Sequence, residues 1–284
     1  MITIFTIPKA FSGEISQIQK NAIRSWTLLD SGVEVILFGD EEGTSQAATE
    51  FQNVRRYPQV KKSEFGTPLL DDVFQIAQKI AKNDILAYVN ADIILLDDFL
   101  PAVKKINFPK FLLTGRRTDL NLREAINFSQ AIWQKLLREK VDKEGKGHGW
   151  SGLDYFVFPR HLYRAVPPFA IGRFSFDNWL IYYVRDGGWP VIDATEALLA
   201  VHQNHAYSQK KKSFFITEKQ KNLKLAGGVL NLMSIRDADW ILDKKDGTLR
   251  RPRLPRRIFP FLSSFYPWRL ILGLKRILQW HLTN

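Results

Sequence analysis

The chain has 284 residues, of which 45% are hydrophobic and 25% charged, an ordinary globular balance that excludes a disordered or fibrous chain. The absence of cysteine excludes a disulfide framework, a thiolate metal site and a cysteine nucleophile. Ten basic residues and one acid lie from Lys244 onward, so nine of the twelve net positive charges sit in the last 41 residues, and a uniformly basic nucleic-acid binder is excluded.

Met1 is followed at once by ITIFTIP, with no basic leader and no small-residue cleavage site, so no secretory signal is expected and the chain is expected in the cytoplasm. ITIFTI (2–7), a β-branched run stopped by Pro8, predicts the first strand. Ile15, Ile18, Ala22, Trp26 and Leu29 recur at three- and four-residue steps and predict an amphipathic helix ended by Ser31 and Gly32. VEVILFGD (33–40) predicts a second buried strand. A helix is expected from Gly66-Thr67-Pro68 to about Asn83, with Thr67 as N-cap and Pro68 at the first helical position, and DILAYVNADIIL (84–95) predicts the strand after it.

The second half continues with FLLTGRR (111–117), a helical stretch around 121–140, and GLDYFVFP (152–159). A helix over Asp177–Arg185 and a strand in GWPVIDAT (188–195) come next. DKEGKGHG (142–149) reads as a loop and a flexible lid. Alternating strands and helices imply an α/β layered fold with a largely parallel sheet. Residues 1–242 are expected to form one domain, and 243–284 a basic linker followed by an apolar-basic helix.

The segment YVNADIILLDD (88–98) carries Asn90 and Asp92 at the end of a hydrophobic strand. A buried carboxylate is costly unless it meets a ligand, and the carboxyl ends of strands in an open α/β sheet face the ligand crevice. An oxygen site of this kind suits Mg²⁺ or Mn²⁺ bridging two phosphates. The alternative is a turn in which both side chains satisfy local backbone groups.

With this order of elements and Y-V-N-A-D at the end of a central strand, the sequence over roughly 1–208 resembles glycosyltransferases of the GT-A fold, family-2-like. The resemblance implies a Rossmann-like, mostly parallel sheet flanked by helices. It also implies a short acidic motif, here with Asn90 in place of the commoner Asp, that binds a metal and a nucleotide-diphosphate sugar, most often a UDP-sugar. Asp92 would then be a metal ligand. His202 and His205, at the end of the strand-like TEALLAV (195–201), match the late-sequence histidine that such enzymes place beside the acidic motif. Imidazole favours Mn²⁺ over Mg²⁺; otherwise the pair lies in a solvated polar turn.

Trp150, Gly152 and Asp154, just ahead of a strand, match the turn that lies under the sugar in such enzymes, since aromatic faces pack on sugar rings and carboxylates accept from sugar hydroxyls. Trp150 could equally be a core aromatic. Asp177 matches the residue that deprotonates the acceptor hydroxyl in inverting members, but it would also serve as an N-cap, and Asp154 is the reserve base. Thr6, Pro8 and Lys9 follow the first strand, where related folds hold the nucleotide. Gly66 and Thr67, at an expected helix start, could offer free amides to an anion.

The resulting expectation is a metal-dependent transfer of sugar from a nucleotide diphosphate to a glycan or lipid-linked glycan. A sugar-nucleotide nucleotidyltransferase and a non-catalytic glycan or membrane adaptor are the competing classes. In 256–284, Leu270, Ile271, Leu274, Ile277, Leu278 and Trp280 share a helical face beside Lys275 and Arg276. That stretch is too short and too charged to span a bilayer and predicts an interfacial helix on an anionic membrane through 250–284, on the inner face.

Overall fold

The structure, a computed structural model, describes residues 1–205 and 213–252. In chain order the elements are β1 (Ile2–Thr6), α1 (Gly13–Thr27), β2 (Glu34–Phe38), α2 (Thr44–Glu50), β3 (Val54–Tyr57), α3 (Leu70–Ile80), β4 (Ile85–Val89), β5 (Ile93–Ile94) and α4 (Phe99–Lys104). They continue with β6 (Leu112–Thr114), β7 (Thr118–Leu120), α5 (Trp133–Glu144), β8 (Lys146–Gly147), β9 (Tyr155–Pro159) and α6 (Phe176–Asp186). The last are β10 (Val191–Asp193), β11 (Val201–Gln203), α7 (Ser213–Leu225), β12 (Trp240–Leu242) and β13 (Leu249–Arg250).

Nine strands form one sheet in the order β13-β12-β10-β6-β9-β4-β1-β2-β3. The pairs among β3, β2, β1 and β4 are parallel, as are β6–β10 and β10–β12, while β9 runs antiparallel to β4 and β6 and β13 antiparallel to β12. This is the expected α/β class: a large, mostly parallel sheet with helices against both faces.

The central strands are apolar at nearly every position because both faces are covered. Ile4, Val35, Leu37, Ala87, Val89, Tyr155 and Val157 face one layer, which holds Ile23 and Trp26 of α1 and Phe99 of α4. The alternate residues Phe5, Ile36, Phe38, Leu86, Tyr88, Phe156 and Phe158 face the other, with Phe74 of α3 and Leu180 of α6. Aromatic rings dominate that second layer: Phe74 stacks on Phe158 at 5.4 Å between centroids and meets Phe5 edge-on at 5.3 Å. Rings so arranged gain more than area burial alone supplies.

A second, four-stranded sheet, β5-β11-β7-β8, is made of strands only two or three residues long. It includes Lys146 and Gly147, which pair with β7, so 142–149 is no lid: α5 runs to Glu144 and the rest is tied down. The helix expected around 121–140 begins only at Trp133. The helix expected at Thr67 begins at Leu70, because Pro68 and Leu69 are held in bridges to Lys62 and Ala170. TEALLAV is a turn that becomes a strand only at Val201. Residues 243–250 form a hairpin that extends the main sheet. The remainder of the expected linker and interfacial helix, 253–284, lies outside the described residues. Among the described residues no helix is long and apolar enough to cross a membrane.

Candidate active site

The short sheet brings distant residues into register. On β11, His202 stands opposite Ile93 of β5 on one side and Asp119 of β7 on the other. Asp92 immediately precedes β5, and the backbone N–H of Gln203 donates to its carbonyl at 3.2 Å. Strand pairing therefore delivers Asp92 and Asp119 to the two sides of one buried imidazole. The Nδ1 of His202 lies 3.0 Å from Asp119 Oδ1, and its Nε2 lies 3.5 Å from Asp92 Oδ2. The Nε2 of His205 is 3.1 Å from the same Asp92 oxygen.

The other Asp92 oxygen, Oδ1, is buried with no hydrogen-bond partner among the described residues. Burial works to raise the Asp92 pKa, but hydrogen bonds and charge interactions with His202 and His205 outweigh it and hold the carboxyl well below its ordinary range. His202 shifts the opposite way: burial favours the neutral ring, and Asp92 overrides that and raises its proton affinity.

A chain of ion pairs continues from Asp119. Its carboxylate meets His148 Nδ1 at 2.7 Å and Arg117 Nε at 2.8 Å. Arg117 Nη1 reaches Asp154 Oδ2 at 2.6 Å, and the other Asp154 oxygen accepts from the Asn90 amide. Asn90 is further fixed by its backbone N–H, which donates to the Asp154 carbonyl at 2.8 Å. Gly152 makes room for this arrangement, since a Cβ there would sit 2.2 Å from the His148 ring. Arg117, Asp119 and His148 were not among the residues singled out from the sequence.

Asp177 lies in the first turn of α6 and is not its N-cap; that position is Ser175, a non-glycine residue at φ 97° whose buried hydroxyl has no partner. Backbone held in that region stores strain, of order 1–3 kcal/mol. Asp177 is half-buried, and its carboxyl accepts from the Asn178 N–H at 2.9 Å. Burial is the leading cause that pushes its pKa up to about 7; the Asn178 bond opposes it, the charge of Asp154 adds to it, and Arg117 opposes it again. Tyr88 feels Asp154, Asp92 and Asp177 together, which raises its phenol beyond what burial does alone. The three carboxylates thus share the end of β4.

Thr6 and Pro8 are buried at the end of β1, and the Thr6 hydroxyl has no partner. Lys9 is exposed, its backbone clamped by Gln19, which accepts from the Lys9 N–H at 2.6 Å and donates to its carbonyl at 2.9 Å. Gly66 and Thr67 depart from expectation. Their amides donate to the Ser63 carbonyl and hydroxyl, and the Thr67 hydroxyl donates to buried Glu218 on α7, so no free helix amides face an anion there. Trp150 is 40% exposed and is no core aromatic.

The Asp92, His202 and His205 donor atoms all lie within 4.8 Å of one another. One carboxylate and two imidazoles form an oxygen–nitrogen set that fits Mn²⁺ and accommodates Mg²⁺. The unpartnered Asp92 oxygen, and the Asp119 carboxylate behind His202, are what such a centre requires, because a carboxylate on the far ring nitrogen fixes the tautomer of a ligating histidine.

No protein-family model matches the chain, and no curated protein matches it. Among solved structures it is similar to a mannosyltransferase from Pyrobaculum calidifontis in complex with GDP-Man and Mn²⁺, at 14% identity and TM-score 0.47, over 100% of this chain and 75% of that one. It is similar to glucosyl-3-phosphoglycerate synthase from Mycobacterium tuberculosis in complex with Mg²⁺ and UDP, at 14% identity and TM-score 0.46, over 80% of both chains. A third is TarS of S. aureus, residues 1–349, in complex with UDP-GlcNAc, at 15% identity and TM-score 0.46, over 82% of this chain and 67% of that one.

Proposed function

We propose that the chain is a glycosyltransferase that moves a sugar from a nucleotide diphosphate, a UDP-sugar by preference, to a hydroxyl of a glycan or lipid-linked glycan. The observation that carries this reading is the pairing, at one end of β4, of the Asp92–His202–His205 cluster with Asp177, a carboxyl whose pKa is pushed up to about 7. In this reading Asp92, His202 and His205 hold Mn²⁺ or Mg²⁺, which when bound would offset the charge of the leaving diphosphate. Thr6, Pro8 and Lys9, at the end of β1, border the nucleotide, and Asn90 and Gly152 border the sugar.

Asp177 acts as the base. A carboxylate with proton affinity near neutrality is matched to accept a hydroxyl proton as the acceptor oxygen attacks the anomeric carbon. The bond from that carbon to the phosphate oxygen breaks, and its electron pair leaves with the diphosphate. Asp154 is paired with Arg117 and orients Asn90, so its role is positional.

The test is release of nucleoside diphosphate from a panel of UDP- and GDP-sugars by the full chain with Mn²⁺. Turnover is expected for at least one donor and is expected to vanish in Asp92→Ala while the fold persists. Full turnover in a folded Asp92→Ala protein refutes the assignment. Attachment to an anionic membrane belongs to the same reading, and comparing sedimentation of the full chain with that of a chain ended at Pro252 on phosphatidylglycerol vesicles tests it. Arg250 stays on the protein side of that cut because it pairs with Glu196 and Asp243.

A further inference from the structure

Trp150, the exposed indole beside the candidate site, carries two guanidinium groups: the Cζ atoms of Arg116 and Arg236 each lie 4.5 Å from its ring centroid. Other arginines near this end of the molecule are neutralised, Arg117 by Asp119 and Asp154, Arg173 by Glu218 and Arg185 by Asp239. Among the described residues neither Arg116 nor Arg236 has a carboxylate partner. The indole quadrupole attracts each cation but cannot neutralise it, so two positive charges are held against one indole ring.

The position is built from three directions. Arg116 is anchored by its Nε–H, which donates to the His148 carbonyl at 2.8 Å, and by its backbone N–H, which donates to Thr195 Oγ1 at 2.9 Å. Arg236 lies on a 3₁₀ turn closed by the Ser234–Asp237 capping box. That turn is tied to the Trp150 carbonyl through the Ile235 N–H at 3.2 Å. It is tied to Asn178, the neighbour of Asp177, through the Met233 carbonyl and N–H at 2.7 and 3.1 Å. The Arg236 turn is thereby tied both to Trp150, four residues before Asp154, and to the start of α6 that carries Asp177.

We propose that Arg116, Trp150 and Arg236 form an acceptor subsite for a sugar bearing a phosphate: the two guanidiniums, held against the indole, take the dianion. A guanidinium fork matches phosphate geometry, and two cations with no carboxylate partner among the described residues match its charge. The inference rests on the glycosyltransferase reading for the word acceptor, whereas its test reads binding and needs no turnover.

The experiment is isothermal titration of the full-length protein with glucose 1-phosphate, glucuronate and glucose, without nucleotide, in the wild type and in Arg236→Gln, Trp150→Ala and Asp92→Ala. Glucose 1-phosphate is expected to bind at least tenfold more tightly than glucose. That preference should fall at least fivefold in Arg236→Gln and Trp150→Ala and survive in Asp92→Ala. Glucuronate binding as tightly as glucose 1-phosphate would overturn the phosphate assignment. Equal binding of all three sugars, or a preference lost in Asp92→Ala and kept in Arg236→Gln, would overturn the subsite. Arg236 is exposed on its turn, so its variant tests recognition without threatening the fold. Absence of donor turnover beside intact glucose 1-phosphate selectivity would defeat the glycosyltransferase reading alone.

Discussion

Asp119→Asn isolates the contribution of the carboxylate behind the candidate metal ligands. In the wild type Asp119 Oδ1 sits 3.0 Å from His202 Nδ1, where a carboxylate favours a proton on that nitrogen and would leave Nε2 to a bound metal. The amide removes the charge and can present its NH₂ to His202 Nδ1, which favours the wrong tautomer. It also weakens the contacts to His148 at 2.7 Å and to Arg117 at 2.8 Å. Loss of such a supporting carboxylate lowers metal affinity by about 10- to 100-fold, or about 1.4–2.8 kcal/mol. The stability cost should be smaller, about 1 kcal/mol, because the amide still accepts one bond and Arg117 keeps Asp154. Titration of Mn²⁺ into both proteins by calorimetry, with thermal melts alongside, reads the two effects separately. A Kd for Mn²⁺ within twofold of the wild type would show that Asp119 does not set the His202 tautomer, and the three-residue cluster would lose its supporting argument.

Asp177→Asn should abolish transfer while leaving donor binding intact, whereas wild-type transfer should rise with pH through about 7 as the carboxyl ionises. The sign of the stability effect is also fixed: a carboxyl whose folded pKa is raised costs stability as pH climbs from its unfolded value, about 3.9, to about 7. The Asn variant should therefore gain on the wild type between about pH 4 and about pH 7 in urea melts, and a constant difference there would contradict the burial that causes the shift. Trp26→Phe removes the indole N–H that donates to the Ile93 carbonyl at 2.9 Å, one residue after Asp92. It should cost about 1–3 kcal/mol, since the buried carbonyl loses its partner, and it should weaken Mn²⁺ binding. Unchanged values of both would show that β5 is held by its strand pairing alone. Phe74→Ala opens the aromatic layer between α3 and the sheet and should cost about 3–5 kcal/mol in denaturant melts; a loss under 1 kcal/mol would mean that the layer collapses around the gap.

The sequence reveals the elements with a long, clean signal. β1, β2, β4 and β9 each have four or five residues with both faces buried, and α1 keeps its apolar spacing for 15 residues. Asn90, Asp92 and the His202–His205 pair stand out because polar groups end apolar runs. The short sheet left no such mark. Two- and three-residue strands have no period to read, and what fixes β7 against β11 is a pairing across 83 residues between Asp119 and His202. Arg117 closes the segment FLLTGRR and Asp119 falls in the gap before the helical stretch expected around 121–140, and His148 sits in a glycine-rich segment that resembles a lid until its pairing to β7 is seen. The Thr67-Pro68 start signal misled for a related reason: the Thr67 hydroxyl is committed to Glu218, 151 residues away, and Pro68 to a bridge.

The ion pairs divide the carboxylates of the site by role. Arg117 is shared between Asp119 and Asp154, and the two histidines surround Asp92, so three acids have cationic or imidazole partners, and those of Asp92 and Asp119 hold their carboxyls below the ordinary range. Ionised acids with fixed partners are suited to holding and orienting, and they exchange protons poorly near neutral pH. Asp177 has no ion pair among the described residues, one backbone N–H, and the charge of Asp154 nearby. Burial and a like charge thus outweigh the Asn178 N–H and the more distant charge of Arg117, and the proton affinity of Asp177 rises to about 7. Environments that push the pKa values of neighbouring acids apart are how a site separates a base from the groups that hold its ligands. In this chain the separating residue is Arg117: by pairing with Asp154 it limits the charge felt by Asp177, and by pairing with Asp119 it links the proposed base to the carboxylate beside His202.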